Sequence, residues 1–557
     1  MKPFLPALLG PLLGGPFLAA TPVAFDWMEY VGEDPFYAEH ALEEGEFYNP
    51  VLPGFYPDPS VVRVEEDFYL VNSTFAWFPG VPIFHSRDLV NWTQLGHVLD
   101  RPSQLDLDGH RTSRGIFAPT IEHHDGLFYM VTTLIDTRGN FFVTAEDPAG
   151  PWSDPVWFDF DGIDPSFFFD ESTGRAWLVN NGPPPNNEPL YEGHRAIWLQ
   201  EFDPAAGELI GERRIVINGG VDLSEEPVWI EGPHIFKEGD WYYLHCAEGG
   251  TSVNHRQVVF RSREVTGPYV PWEENPILTQ RHLPADRPYP VSATGHADFV
   301  EMPSGDWWAV FLATRPYEED YYSTGRQTFA LPVHWTNDGW PDMLPVEHAV
   351  PLKLEGPEEL REPGPRTMPR GNFTWRDDFS GGPLGFEWVM LRTPRGQPWW
   401  HLDAPAGLLH LEARAVPLTE VEAQPSFLGR RQQHHHYTTS LAVAMPAAAG
   451  VEAGLVAFLD ERANYFLGVR RLDDGSAEVF VERTDVEAET LLSAPIADTS
   501  MVRLRLQGRG PELHFAASTD EGATWQELGT YDARILTISH SWGFTGVMLG
   551  PYARTAR

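Results

Sequence analysis

Residues 55–73 read FYPDPSVVRVEEDFYLVNS, and both halves of this stretch recur along the 557-residue chain. The second half is a polar turn followed by an aromatic-rich apolar run, EEDFYLVNS (65–73). It is echoed by HDGLFYMVTT (124–133), STGRAWLVNN (172–181), KEGDWYYLHC (237–246) and PSGDWWAVFL (303–312). A spacing of roughly 50–65 residues with several short strands per unit predicts a propeller or an array. The first half recurs as a short motif ahead of each run: DPSV with Asp58, APTI with Ala118, DPSF with Asp164, and GPHI with Gly232 preceded by Glu231. The fifth, HADF with His296, is degenerate. Asp-Pro alone is a turn dipeptide. Repeated at equivalent places, it marks the start of the innermost strand of each blade, and those starts converge on the propeller axis. Asp58, Asp164 and Glu231 then share one axial cavity.

Composition agrees with an all-β chain. The sequence holds 50 Gly and 51 Pro, a turn-rich mixture, and its 42% hydrophobic content supports sizeable cores. Acidic residues number 80 against 39 basic ones, which excludes nucleic acid and anionic membranes as natural partners. The single Cys246 sits in an apolar strand and reads as buried. HHHY (434–437) reads as surface or loop histidines, because neighbouring strand residues face opposite ways. The N-terminal MKPFLPALLGPLLGGPFLAATPVA resembles a secretory leader over residues 1–24, implying a secreted or periplasmic protein; without a leader the protein is cytoplasmic. Residues 25–46 read as an N-terminal extension, and 351–370, rich in Pro, Gly and charge, as a linker. From 371 to 557 short alternating runs such as LLHLEARAV, AGLVAFLD and YFLGVRRL predict a β-sandwich, jelly-roll-like.

Three acids around a cavity fit two chemistries. One is a hard-cation site, since Ca²⁺ takes carboxylate oxygens. The other is glycoside hydrolysis, in which one acid protonates the leaving oxygen and another activates water. Aromatics near the stations, in FYPDPS, STFAWFPG (73–80) and GIFAP (115–119), favour sugar. A non-catalytic sugar-binding propeller is the alternative from another class.

YPDPS, GIDPS, WIEGPHIF, EGGTSVNH (248–255), TGHADF (294–299) and FLATRP (311–316) resemble glycoside hydrolase family 43, in particular its β-xylosidase and α-L-arabinofuranosidase branch. The matches run in order over 47–350, and WRDDFS (375–380), PSFLGRRQQHHHY (425–437) and GFTGVMLG (543–550) resemble the β-sandwich appended to those enzymes. The resemblance implies a five-bladed propeller and an inverting mechanism. Asp58 is then the general base, Glu231 the general acid, and Asp164 the group that tunes and orients the acid. It further implies that Arg315 binds sugar hydroxyls, with Phe75, Trp77, Phe117 and His255 as candidate neighbours of the substrate. His296 lies on the axis, as a site for a structural Ca²⁺ or a water. The sandwich closes the pocket through the Gly543–Gly550 loop, with Phe544 or Met548 at the mouth. Arg114 stands where relatives carry a small residue. The expected substrates are xylo-oligosaccharides or arabinosides, with no organic cofactor; oligomeric state is left open.

Overall fold

Each aromatic run forms the second strand of an antiparallel blade, four-stranded in four cases and five-stranded in the fourth blade. The computed structural model of the chain describes residues 22–361 and 367–556. The inner strands of the five blades are Ser60–Val64, Thr120–His124, Ile163–Asp170, Glu231–Glu238 and Ser292–Glu301. Each pairs with the run that follows, through tight turns of the chemistry expected: Asp125 and Gly126, at φ 50° and 80°, join His124 to Leu127 as a two-residue turn with both residues left-handed. The inner strands neighbour one another in a closed ring, the fifth returning to the first. Cores lie between blades. Cys246 is buried in one of them with Val179, Ile197 and Leu244.

The ring is not closed by exchanging a strand. Instead, the segment before the first blade clips onto the fifth. The Asn49 side chain exchanges two hydrogen bonds with the Ala330 backbone, at 2.9 Å each, and Leu52 pairs with Thr328. Glu46–Tyr48 then pairs with Lys353–Glu355, so part of the expected linker is a strand. An apolar seal results between the two ends of the ring, with Phe47, Val51 and Leu52 in one buried cluster with Trp308, Val310 and Ala330.

The C-terminal domain is a sandwich of two eight-stranded sheets. Two of its strands come from unexpected places. Pro22–Gly32, expected to straddle a leader and an extension, lies within one sheet between Leu408–Glu412 and His436–Ala444. Val23 and Phe25 alternate inward; a bulge shifts the register, after which Met28, Tyr30 and Gly32 face the core. The bulge breaks the period-two pattern and hides the strand from sequence reading. Residues 1–21, most of the expected leader, lie outside the described residues. The other guest strand is Trp77–Phe78, which leaves the first blade to pair with Val389–Leu391 at the edge of the second sheet. Trp77 is therefore no pocket wall. It is fully buried between domains, against Phe427 and Phe458.

A buried polar knot also joins the parts, and it accounts for Arg315. That guanidinium, expected at a sugar, is enclosed away from the axial cavity. It reaches Asp34 Oδ2 and Tyr37 Oη at 3.1 Å each, Gln327 Oε1 at 3.2 Å and the Gln433 carbonyl at 3.0 Å. Asp34 Oδ1 accepts from the backbone N–H groups of His435 and His436 at 2.9 and 2.8 Å. Burial opposes ionisation of Asp34, but Arg315 and the histidine segment outweigh it and hold the carboxyl below its usual range. His434 and His435 are thus buried, contrary to the expectation of surface histidines, because the His434 N–H donates to Tyr30 Oη and the His435 N–H to Asp34. Removing one member of such a pair leaves a buried charge unpaired. Asp34→Ala should cost about 3–5 kcal/mol in urea unfolding followed by Trp fluorescence, and Asp34→Leu combined with Arg315→Met should recover much of it; an Asp34→Ala protein as stable as wild type would contradict this account.

Candidate active site

The inner-strand starts share an unusual backbone. Asp58, Asp164, Gly232 and His296 all lie in the left-handed region, at φ 50°, 52°, 55° and 52°. Non-glycine residues are held there at a cost of about 1–3 kcal/mol each. At three of these points the pairing with the second strand also slips, between Ile163 and Ser166, Glu231 and His234, and Gly295 and Asp298. The combination turns one residue per strand out of the sheet and toward the axis. At the fourth station the backbone comes too close to the axis for a side chain: a Cβ on Gly232 would lie 2.8 Å from His296 Nε2. The carboxylate there is supplied one residue earlier, by Glu231.

These side chains meet in a cavity of about 360 Å³ lined by Asp58, Asp164, Glu231, His296, Arg326, Phe75, Phe117 and Phe544, with Ala118, Ile163, Thr251 and Gly250 between them and Arg114, Val228, Trp229 and Trp542 completing the lining. Asp58 Oδ2 accepts from Ser73 Oγ at 2.5 Å, and Asp58 Oδ1 lies 3.3 Å from an Arg326 guanidinium nitrogen. Asp164 Oδ2 accepts from the Gly232 N–H at 3.3 Å and lies 3.6 Å from His296 Nε2. Burial disfavours a charge on Asp58, yet Arg326, His296 and the Ser73 hydroxyl prevail and hold its carboxyl below the usual range. Glu231 goes the other way. Burial first, and then the negative charge of Asp164, push its carboxyl up to about 8. His296 is buried too, which works against its charge, but contact with Asp164 and the fields of Asp58 and Glu231 raise it to about 9. Of the pair Asp58 and Glu231, the first is therefore an ionised carboxylate and the second a carboxylic acid at neutral pH, the division of labour that glycoside hydrolysis requires.

The remaining expected residues separate cleanly. Phe75, Phe117 and Phe544 form one aromatic wall: Phe544 stacks on Phe75 at 5.7 Å and meets Phe117 edge-on at 5.9 Å. Phe544 arrives there because its loop is pinned on two sides. Its N–H donates to Ser113 Oγ at 2.9 Å, and Gly546 packs so tightly on Gly325 that a Cβ on either would approach backbone within 2.8 Å. Met548, the other candidate at the mouth, is buried in the strand Met548–Thr555. His255 does not line the cavity; it lies behind Gly295, with Nδ1 3.1 Å from the Ala293 carbonyl. Arg114 does reach the lining, where Asp136 grips it through two bonds of 2.6 and 2.5 Å. Ca²⁺ takes about six to eight oxygens. The side chains around His296 do not make such a cage, and no set of three or more His, Cys, Asp or Glu suited to a metal occurs among the described residues.

Arg326 was not anticipated. It lies in STGRQTF (323–329), eleven residues after Arg315. Trp229, Trp542 and Thr251 were likewise missed.

The family description "Glycosyl hydrolases family 43" matches residues 47–341, and "Beta xylosidase C-terminal Concanavalin A-like domain" matches 376–556. The chain belongs to glycosyl hydrolase family 43. This family 43 enzyme is 36% identical over 531 residues to a protein of Bacteroides ovatus named non-reducing end alpha-L-arabinofuranosidase, covering 93% of each chain. It is 41% identical over 525 residues to a xylosidase/arabinosidase of Butyrivibrio fibrisolvens, covering 91% of this chain and 95% of the relative. Among solved structures, one described as a GH43_12 retrieved from capybara gut metagenome superposes with a TM-score of 0.89 at 38% identity, covering 96% of this chain and 99% of the other.

Since Asp164 is the charge that most raises Glu231 after burial itself, Asp164→Asn should lower the Glu231 pKa. The alkaline limb of the kcat/KM profile, set in wild type near the Glu231 value of about 8, should move to lower pH; a limb that stays in place would remove Asp164 from this role.

Proposed function

We propose that the protein is an exo-acting, inverting β-D-xylosidase that removes xylose from the non-reducing end of xylo-oligosaccharides. The observation that carries this reading is the cavity itself: about 360 Å³, closed on one side by Phe544 of the sandwich, with a protonated Glu231 and an ionised Asp58 in its wall. Binding pockets span about 300–1,000 Å³, so this one suits a single sugar ring and not a chain passing through.

In this reading Asp58 removes a proton from a water as the water oxygen bonds to the anomeric carbon. Glu231 gives its proton to the glycosidic oxygen as the bond from that oxygen to the anomeric carbon breaks. Attack opposite to departure inverts the configuration. The products are xylose and a shortened alcohol, and exchange with solvent resets the two carboxyl groups. Arg326 and Ser73 hold Asp58 ionised and oriented. Burial and the charge of Asp164 keep Glu231 protonated against the opposing fields of His296 and Arg326. The Phe75, Phe117 and Phe544 wall covers the C–H face of the ring, while Arg326 and Thr251 offer polar partners to hydroxyls.

A second reading, α-L-arabinofuranosidase activity alone or alongside, is favoured by the names of the Bacteroides and Butyrivibrio relatives. Both sugars fit so small a pocket. Release of nitrophenol from the β-D-xylopyranoside and the α-L-arabinofuranoside, with xylobiose in parallel, decides between them. The ratio of the two aryl rates names the sugar. Glu231→Ala should lose about 10²–10⁴ in rate on xylobiose and much less on the aryl glycoside, whose leaving group needs little protonation. Equal losses on both would deny Glu231 the role of acid.

A further inference from the structure

The cavity holds one ring, so the leaving group must lie at its mouth, within reach of the proton on Glu231. Two tryptophans stand there. Trp542 is 66% exposed and Trp229 37% exposed, although both line the same cavity as Glu231. Large exposed indoles beside a site are unusual, since apolar surface of this size is normally covered. Val228 and Val253, 44% and 52% exposed, extend the apolar rim.

Both tryptophans are held by strained backbone. Trp229 has φ 57° and Trp542 φ 56°. Trp542 occupies the position just after the short helix Ile538–Ser541, where glycine is the ordinary choice. Strain of this kind persists where the surroundings enforce it, and it gathers at ligand clamps. The indoles are also supported from behind. Trp542 rests edge-on against Phe544 at 5.1 Å. Trp229 carries the Arg195 guanidinium 5.0 Å from its ring, and Asn181 Oδ1 holds that guanidinium at 3.2 and 2.9 Å.

Trp542 further lines two adjoining cavities. One, of about 740 Å³, opens between the fourth and fifth blades and the Ile538–Phe544 segment. The other, of about 300 Å³, lies beside Arg111 and Glu461. A chain leaving the catalytic cavity in either direction passes this side chain. The remaining large rim residue, Arg114, is committed to Asp136.

We propose that Trp542 and Trp229 form the platform for the leaving-group sugar, stacking on the C–H faces of a pyranose. The preferred leaving group is then a xylo-oligosaccharide and not a small alcohol. This rests on the glycosidase reading and adds the recognition of the second sugar. The platform joins both domains, with Trp229 from the propeller and Trp542 from the sandwich.

The test compares xylobiose with β-D-xylopyranosyl azide, whose leaving group is too small to stack. In Trp542→Ala and in Trp229→Ala the ratio of kcat/KM for xylobiose to that for the azide should fall about tenfold, and phenylalanine at either position should restore most of it. An unchanged ratio would overturn the platform, whatever happens to the absolute rates. A binding arm separates this from catalysis. In Glu231→Gln, calorimetry should find xylobiose binding more tightly than xylose, and the advantage should vanish when Trp542→Ala is added. Xylobiose binding no better than xylose would sink the proposal even in a fully active enzyme. A wild type that cleaves neither glycoside nor azide while the binding advantage holds would count against the hydrolase reading alone.

Discussion

Asp164 sits between two partners with opposite needs, and the chemistry of the site depends on that placement. Toward His296 it is a counter-ion, 3.6 Å away, which keeps an imidazolium charged where burial would strip it of its proton. Toward Glu231 it is a like charge that, added to burial, keeps a proton on the carboxyl. Asp58 feels the positive ends of the same array, Arg326 and His296, and stays ionised. One chain of alternating charges around the axis thus makes an acid and a base from two carboxyl groups that have similar pKa values in water.

The array forms because four inner strands each carry, at or near the axis, a residue in the left-handed region. That backbone is costly, and the ring supports it. Gly232 is wedged against His296 at the axis, so crowding replaces a side chain there with bare backbone and shifts the carboxylate to Glu231. The sandwich completes the cavity in the same manner, by close approach. Glycine against glycine at Gly325 and Gly546, and a hydrogen bond from Phe544 to Ser113, set an aromatic ring over the axis. The strand Trp77–Phe78 and the Asp34–Arg315 pair hold the two domains in that register.

The propeller was legible because its signal is local and repeated. Turn dipeptides, aromatic strands and the motif ahead of them each span a few residues, and five copies reinforce one another. The three carboxylates were legible for the same reason: they occupy the repeated stations. Phe75, Phe117 and Phe544 followed from the resemblance and do line the cavity. The strand Pro22–Gly32 was lost because a bulge divides its alternation and its partners lie hundreds of residues away.

The amino-acid sequence alone determined the five-fold repeat, the sandwich that follows it, and the stations that carry Asp58, Asp164 and Glu231, since strand period and turn chemistry are written in neighbouring residues. Only the tertiary structure decided between Arg315 and Arg326, made Trp77 an interdomain strand, and brought Trp229 and Trp542 to one rim. The two arginines flank one connection between neighbouring strands of a blade, Arg315 just after Trp307–Thr314 and Arg326 just before Gln327–Trp335. What differs is the partner that each meets across the fold, Asp34 for one and Asp58 for the other, and that is set by packing between segments far apart in the chain.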